Sequence, residues 1–148
     1  MTGAILPTAL EPASTLAILS AGSFFMVALL TGVWKWRQIT TSADHCAHPY
    51  VDIAHRASLM YSFAAMLLAS FAELSAWQTT VDLAATAFPL FYFAVAIATY
   101  VWHGARRDTD NQFRERNFVS TWGMWTLAIA EIGGFVVLFA GVVKSLLL

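Results

Sequence analysis

Residues 12–34 read PASTLAILSAGSFFMVALLTGVW, a stretch with no charged side chain. A helix needs about 20 mostly apolar residues to cross the hydrocarbon core of a bilayer, and this stretch supplies them. The rest of the chain repeats the pattern. Leu83–Trp102 is a second uncharged run. Ala57–Ala72 continues past Glu73 through uncharged residues that end before Asp82, and Asn117–Val143 carries one charge, Glu131. The reading is an all-α integral membrane four-helix bundle with spans at 13–36, 54–75, 81–103 and 118–143. Residues 1–148 are read as a single transmembrane domain whose first span stays in the mature chain, since no Lys or Arg precedes it. Strict period-2 alternation, the mark of a membrane β-barrel, is absent.

Composition agrees. Of the 148 residues 59% are hydrophobic and 11% charged, where soluble domains carry about 25% charged residues. So few charges cannot cover a soluble surface, and the mean hydropathy is +0.65. One cysteine, Cys46, excludes an intrachain disulfide. A net charge of −1 excludes a nucleic-acid surface, which must be basic.

Charge also sets the orientation. Lys35, Arg37, Arg56, Arg106, Arg107, Arg114 and Arg116 fall in the loops 35–56 and 104–117, and only Lys144 falls on the other side. By the positive-inside rule those loops are cytoplasmic in a plasma (inner) membrane, and both termini and the 76–80 turn face outward. Small residues form seams: Ser58, Ser62, Ala65, Ala69 and Ala72 on the second span, and Ala130, Gly134 and Gly141 on the fourth. Such seams let helices approach closely in lipid, within one chain or between copies in a homo-oligomer.

The chemistry gathers at the cytoplasmic side. His55 begins the second span and His103 ends the third, on antiparallel neighbours at similar depth, which suits a shared metal or a haem iron. His45-Cys46-Ala47-His48 offers ligand types without a second spaced pair, so it reads as loop. Tyr92, Ala96, Thr99, Tyr100 and His103 share one helical stripe. Glu131 lies near the bilayer midplane, where an ionisable residue is a functional candidate by default; Tyr92 and Ser23 are candidate partners at that depth. Asp108 and Asp110 are within reach of Arg56 or His55, where either could orient a ligand histidine.

Ala54-His55-Arg56-Ala57-Ser58, starting a span after a polar loop, and Leu30-Thr31-Gly32-Val33-Trp34 before that loop resemble the membrane isomerases related to styrene oxide isomerase and hydroxylaminobenzene mutase. The resemblance implies a small four-helix membrane enzyme with haem b, its iron held by His55 and acting as Lewis acid on an epoxide oxygen. It assigns substrate-positioning roles to Tyr100 and to Tyr61, which stands where the family carries an asparagine. The implied reaction is the isomerisation of small lipophilic epoxides or related aromatic compounds, epoxide to carbonyl, with substrate entering from the bilayer. Two other functions suit the same residues. His55 and His103 together can hold one haem for membrane electron transfer. Alternatively, the chain is a non-enzymatic accessory subunit of a membrane complex, in which Glu131 and the small seams serve helix contact.

Overall fold

A computed structural model describes residues 9–112, 114 and 118–147. It contains four helices: α1 (Pro12–Thr41), α2 (Pro49–Leu74), α3 (Thr79–Arg106) and α4 (Phe118–Leu147). All four are long and apolar enough to cross a membrane, and the described residues include no strand. The chain is therefore a multi-pass helical bundle, as the sequence predicts.

The helix ends differ from the expected ones. α1 runs on past residue 36 to Thr41, and α2 begins at Pro49 rather than residue 54. The loop expected over 35–56 shrinks to 42–48. The reason is that hydropathy reports where lipid ends, not where hydrogen-bonding stops. A 30-residue α1 is about 45 Å long at 1.5 Å per residue, well beyond the hydrocarbon core. Its last turns stand clear of lipid, and there Lys35 pairs with Asp52 at 2.6 Å. Asp52 in turn pairs with Arg56 at 2.8 Å. α2 starts where the backbone favours it: proline occupies the first turn, where its missing N–H costs nothing. His48 caps that turn, Nδ1 accepting from the Tyr50 N–H at 3.3 Å.

α1 and α2 pack along most of their length through small side chains. Ala13, Ala17, Ala21 and Ala28 of α1 and Ala54, Ala65, Ala69 and Ala72 of α2 are all buried. Between lipid-facing helices there is no water to expel, so attraction comes from close packing, and alanine allows it. The polar members of the seam satisfy themselves within their own helix: Ser58 Oγ donates to Ala54 O at 2.7 Å, and Ser62 Oγ to Leu59 O at 2.6 Å. α3 packs on both α1 and α2. α4 packs on α3 and α2 and does not touch α1.

α4 is held by its second half. Leu138 is fully buried. Phe135 and Phe139 meet Phe71 at ring distances of 5.3 and 6.0 Å. The Trp77 indole N–H donates to Val137 O at 2.9 Å, and the Ala76 N–H to Gly141 O at 3.1 Å. A tight backbone approach is at Gly134, whose missing Cβ would overlap the Ala85 carbonyl oxygen and lie 2.6 Å from Pro89 Cγ. This contact has a cause in α3. Pro89 lacks an N–H, so the Ala85 carbonyl four residues earlier has no donor within its helix. A bare glycine Cα of the neighbouring helix covers that oxygen, a weak Cα–H···O arrangement common where helices touch. The first half of α4 is less covered: Trp122, Met124, Trp125 and Ile129 are exposed, and Leu127 and Ala128 are only part-buried.

Candidate functional site

His55 sits in the second turn of α2 and turns toward α1. Its Nδ1 lies 2.8 Å from the Ala28 carbonyl oxygen. A carbonyl only accepts, so Nδ1 carries the hydrogen, and in the neutral ring Nε2 is then the nitrogen with the lone pair. Room for the ring comes from Gly32. A Cβ there would stand 3.0 Å from His55 Cε1 and 3.2 Å from Nδ1. Thr31, beside it, donates to Val27 O at 2.7 Å and to Ala28 O at 3.1 Å. The Leu30-Thr31-Gly32 turn and His55, far apart in sequence, are thus one constellation. An acceptor at one ring nitrogen fixes the tautomer and raises the basicity of the other, a feature that metal-ligating imidazoles share.

His103 has different partners. The C-cap of α3, Arg107, is left-handed at φ 53, and this turn carries the chain back beneath the helix. Asp108 Oδ1 then accepts from His103 Nδ1 at 2.8 Å. The His103 ring lies 5.1 Å from that of Tyr50, and Tyr50 lies 6.1 Å from Tyr100. The Tyr50 hydroxyl accepts the Gln112 N–H at 2.6 Å. The expected facing pair of His55 and His103 is therefore two separately anchored imidazoles, one on α1 and one on the 107–112 segment. Asp108 does orient a histidine, but it is His103. Neither Asp108 nor Asp110 reaches Arg56 or His55 as expected, because Arg56 is taken by Asp52 on its own helix and Asp110 pairs with Arg114 at 3.0 Å.

The Asp108 carboxyl is held below its ordinary value, first by the hydrogen bond from His103 and further by Arg106. A depressed folded-state value means that the pair's contribution is complete above the ordinary aspartate value of 3.8 and fades as pH falls through the lower folded one. His103→Gln is expected to raise the Asp108 midpoint toward that ordinary value, read by NMR titration of the carboxyl carbon. An unchanged midpoint would show that His103 does not hold Asp108.

Tyr61 of α2, Tyr100 of α3 and Glu131 of α4 each have their own surroundings, Tyr100 lying 6.1 Å from the Tyr50 ring. Tyr61 is held flat against Phe93, with ring centroids 4.2 Å apart and planes 12° from parallel. Glu131 Oε1 is buried and has no hydrogen-bond partner among the described residues. Ser23 does not serve as its partner: it donates to Leu19 O on α1, and α1 does not touch α4. Tyr92 lines a separate apolar groove of about 660 Å³ between α3 and α4, with Phe88, Thr126, Ile129 and Gly133.

His48 is the cap of α2, its backbone N–H donating to Gln38 Oε1 at 2.8 Å, and His45 is exposed in the loop with φ 54. Cys46 is exposed as well. Among the described residues no three His, Cys, Asp or Glu side chains gather as a metal site. Sequence reasoning passed over two residues. Tyr50, at 4% exposure, links His48, Tyr100 and His103, and the only signal for it was an aromatic directly after a helix-starting proline. Gly32 was read only as part of the Leu30–Trp34 stretch, though it serves inside α1 as the seat of the His55 imidazole. No family model, no curated protein and no solved structure matches the chain.

Proposed function

We propose that the chain is a membrane isomerase of small lipophilic epoxides or related aromatic compounds, with haem b held by His55. The observation that carries the reading is the His55 anchor: Nδ1–H on the Ala28 carbonyl at 2.8 Å, Gly32 giving the ring its seat, and Nε2 left with its lone pair. That donor chemistry fits a haem iron, which takes a neutral imidazole nitrogen. When bound there, ferric haem supplies a Lewis acid for the substrate oxygen.

The chain's own residues do the rest. Tyr100 and Tyr61 present phenols that donate hydrogen bonds to the substrate oxygen and hold it in one orientation. Phe93 stacked on Tyr61 fixes that phenol in place. The surrounding apolar side chains exclude water, which would otherwise trap an opened epoxide as a diol. The reaction is intramolecular, so no redox partner is required. The substrate reaches the site from the bilayer, where apolar molecules concentrate. We further read the 35–56 and 104–117 segments as cytoplasmic in the plasma membrane, both termini as outside, and the working form as a homo-oligomer, from the charge bias and the small seams.

A second reading has its own observation. His103 is also tied through Nδ1, to Asp108, so two anchored imidazoles support bis-histidine haem ligation for electron transfer. One experiment separates the readings: absorption spectra of the purified wild type, His55→Ala and His103→Ala, expressed with haem supplied. The isomerase reading expects a Soret band that His55→Ala abolishes and His103→Ala leaves in place. Loss in both variants supports the electron carrier. A wild type without the band removes both and returns the chain to the accessory-subunit reading.

A further inference from the structure

The groove between α3 and α4 stands apart from the His55 site, for neither His55, Tyr61 nor Tyr100 lines it. It measures about 660 Å³, within the roughly 300–1,000 Å³ of small-molecule sites. Ala84 and Phe88 of α3 and Ile129 and Gly133 of α4 line it and are exposed, so it opens sideways, where the bundle meets lipid. No Asp, Glu, Lys, Arg or His is in the lining, and a charged molecule has nothing to pair with there. One polar group stands out in this apolar slot. Tyr92 lines it from the middle of the 28-residue α3, about 20 Å from either helix end at 1.5 Å per residue. Its ring meets Phe91 edge-on with centroids 5.5 Å apart, and its hydroxyl has no hydrogen-bond partner among the described residues. The Thr126 hydroxyl, also in the lining, is already engaged, donating to the Trp122 and Gly123 carbonyls at 3.1 and 3.0 Å. Bulk lipid does not satisfy the phenol: acyl chains carry no acceptor, and ester oxygens lie at the edges of a hydrocarbon core about 30 Å thick. A hydroxyl left unpaired in hydrocarbon is unfavourable, so the stable occupant of the groove is one that brings an acceptor to mid-membrane depth.

We propose that the α3–α4 groove is a binding site for a neutral lipophilic molecule with a hydrogen-bond-accepting oxygen, of the class of aromatic ketones, which enters from the bilayer and takes its hydrogen bond from Tyr92. The apolar walls hold the body of the molecule, and the single phenol fixes which way its oxygen points. An acyl chain fills such a slot but leaves the phenol unpaired. A helix of a second copy has its backbone carbonyls committed to its own hydrogen bonds and serves the phenol no better. The groove is open along its lipid side at Phe88 and Ile129, which are 59% and 70% exposed, so a membrane-dissolved molecule reaches it without crossing water. The site goes beyond the isomerase reading and does not require haem.

The test uses benzophenone, an aromatic ketone, with diphenylmethane as the same two rings without the oxygen. Equilibrium dialysis of the detergent-purified full chain against each probe gives the affinities, and infrared spectroscopy of carbonyl-labelled benzophenone reads the hydrogen bond. The wild type is expected to bind benzophenone saturably, with the carbonyl stretch lowered from its value in detergent alone. Tyr92→Phe removes one oxygen and should bind benzophenone roughly 3–10-fold more weakly, the worth of one hydrogen bond. In that variant the stretch should return to the detergent value, and diphenylmethane should bind as it does to the wild type. Gly133→Leu puts a side chain into the groove lining where a Cβ meets nothing within 4 Å, and should abolish binding of both probes. Absence of saturable benzophenone binding in the wild type overturns the proposal, and is the result expected if a second copy or an acyl chain fills the groove. Saturable binding with an unshifted stretch overturns it too, as does a Tyr92→Phe that keeps both affinity and stretch, or a Gly133→Leu that still binds. The two variants locate the site independently, so failure of one to fold leaves the other to decide. Neither readout depends on a Soret band, so the outcome is separate from the fate of the isomerase reading.

Discussion

Gly134→Ala is expected to destabilise the protein by roughly 1–3 kcal/mol, the usual cost of overpacking a tight contact, while Gly133→Ala next to it stabilises by up to about 1 kcal/mol, the helix-propensity gain. The two glycines stand side by side on α4 and differ in what a methyl group would meet. At Gly133 nothing lies within 4 Å. At Gly134 the methyl would overlap the Ala85 carbonyl oxygen and press on Pro89 Cγ at 2.6 Å. Neither can yield easily, because one is backbone and the other a ring closed onto backbone. α4 must move outward, and the Ala85 oxygen, already without its helical donor, loses its cover. Unfolding in mixed detergent micelles, followed by helical circular dichroism, measures both signs. A Gly134→Ala variant as stable as the wild type would mean that α4 does not pack at this point.

Gly32→Val is expected to displace His55 although the histidine itself is untouched. The ring already lies so close that a single added carbon would sit 3.0 Å from Cε1. Alanine asks the end of a flexible side chain to give by a few tenths of an ångström. Valine's branched methyls occupy the ring's seat, and the Nδ1–H bond to Ala28 is lost. Nitrogen-15 NMR of the imidazole reads this directly. The wild type should show one tautomer, protonated at Nδ1, and Gly32→Val should lose that fixed tautomer. On the proposed haem reading, the variant should bind supplied haem roughly 10–100-fold more weakly, the usual cost of removing the group that orients a metal ligand. A valine variant that kept the single Nδ1–H tautomer would refute the seat assigned to Gly32.

The fold was legible because lipid demands length and apolarity together, and PASTLAILSAGSFFMVALLTGVW at 12–34 satisfies both. The α2 seam was legible because Ser58, Ser62, Ala65, Ala69 and Ala72 recur at helical spacing, and all five are buried. Helix ends were not legible. Lys35, Arg37 and Gln38 leave the lipid but remain helical, since a helix emerging into water has no reason to stop until a cap offers an alternative. The site was legible in depth but not in rotation about the helix axes. Depth places His55 with His103 and Glu131 with Ser23. Rotation turns His55 toward Gly32 and His103 toward Tyr50, and leaves the Ser23 hydroxyl on the Leu19 carbonyl of its own helix. Sequence position along a helix gives the first coordinate well; the second depends on which faces the tertiary packing chooses.

The uneven grip on α4 sets an order of assembly. The alanine seam of α1 and α2 draws on residues 13–72 alone, so this hairpin is complete while the later half of the chain is still being synthesised. α3 then adds to a formed surface. α4 arrives last and fastens through residues 134–144, next to the turn between α2 and α3, while its leading half is less covered by the other helices. The same asymmetry makes that leading half the segment that opens at the lowest free energy in the finished protein. The part of the bundle that closes last during biogenesis is therefore also the part that opens most readily in the finished protein.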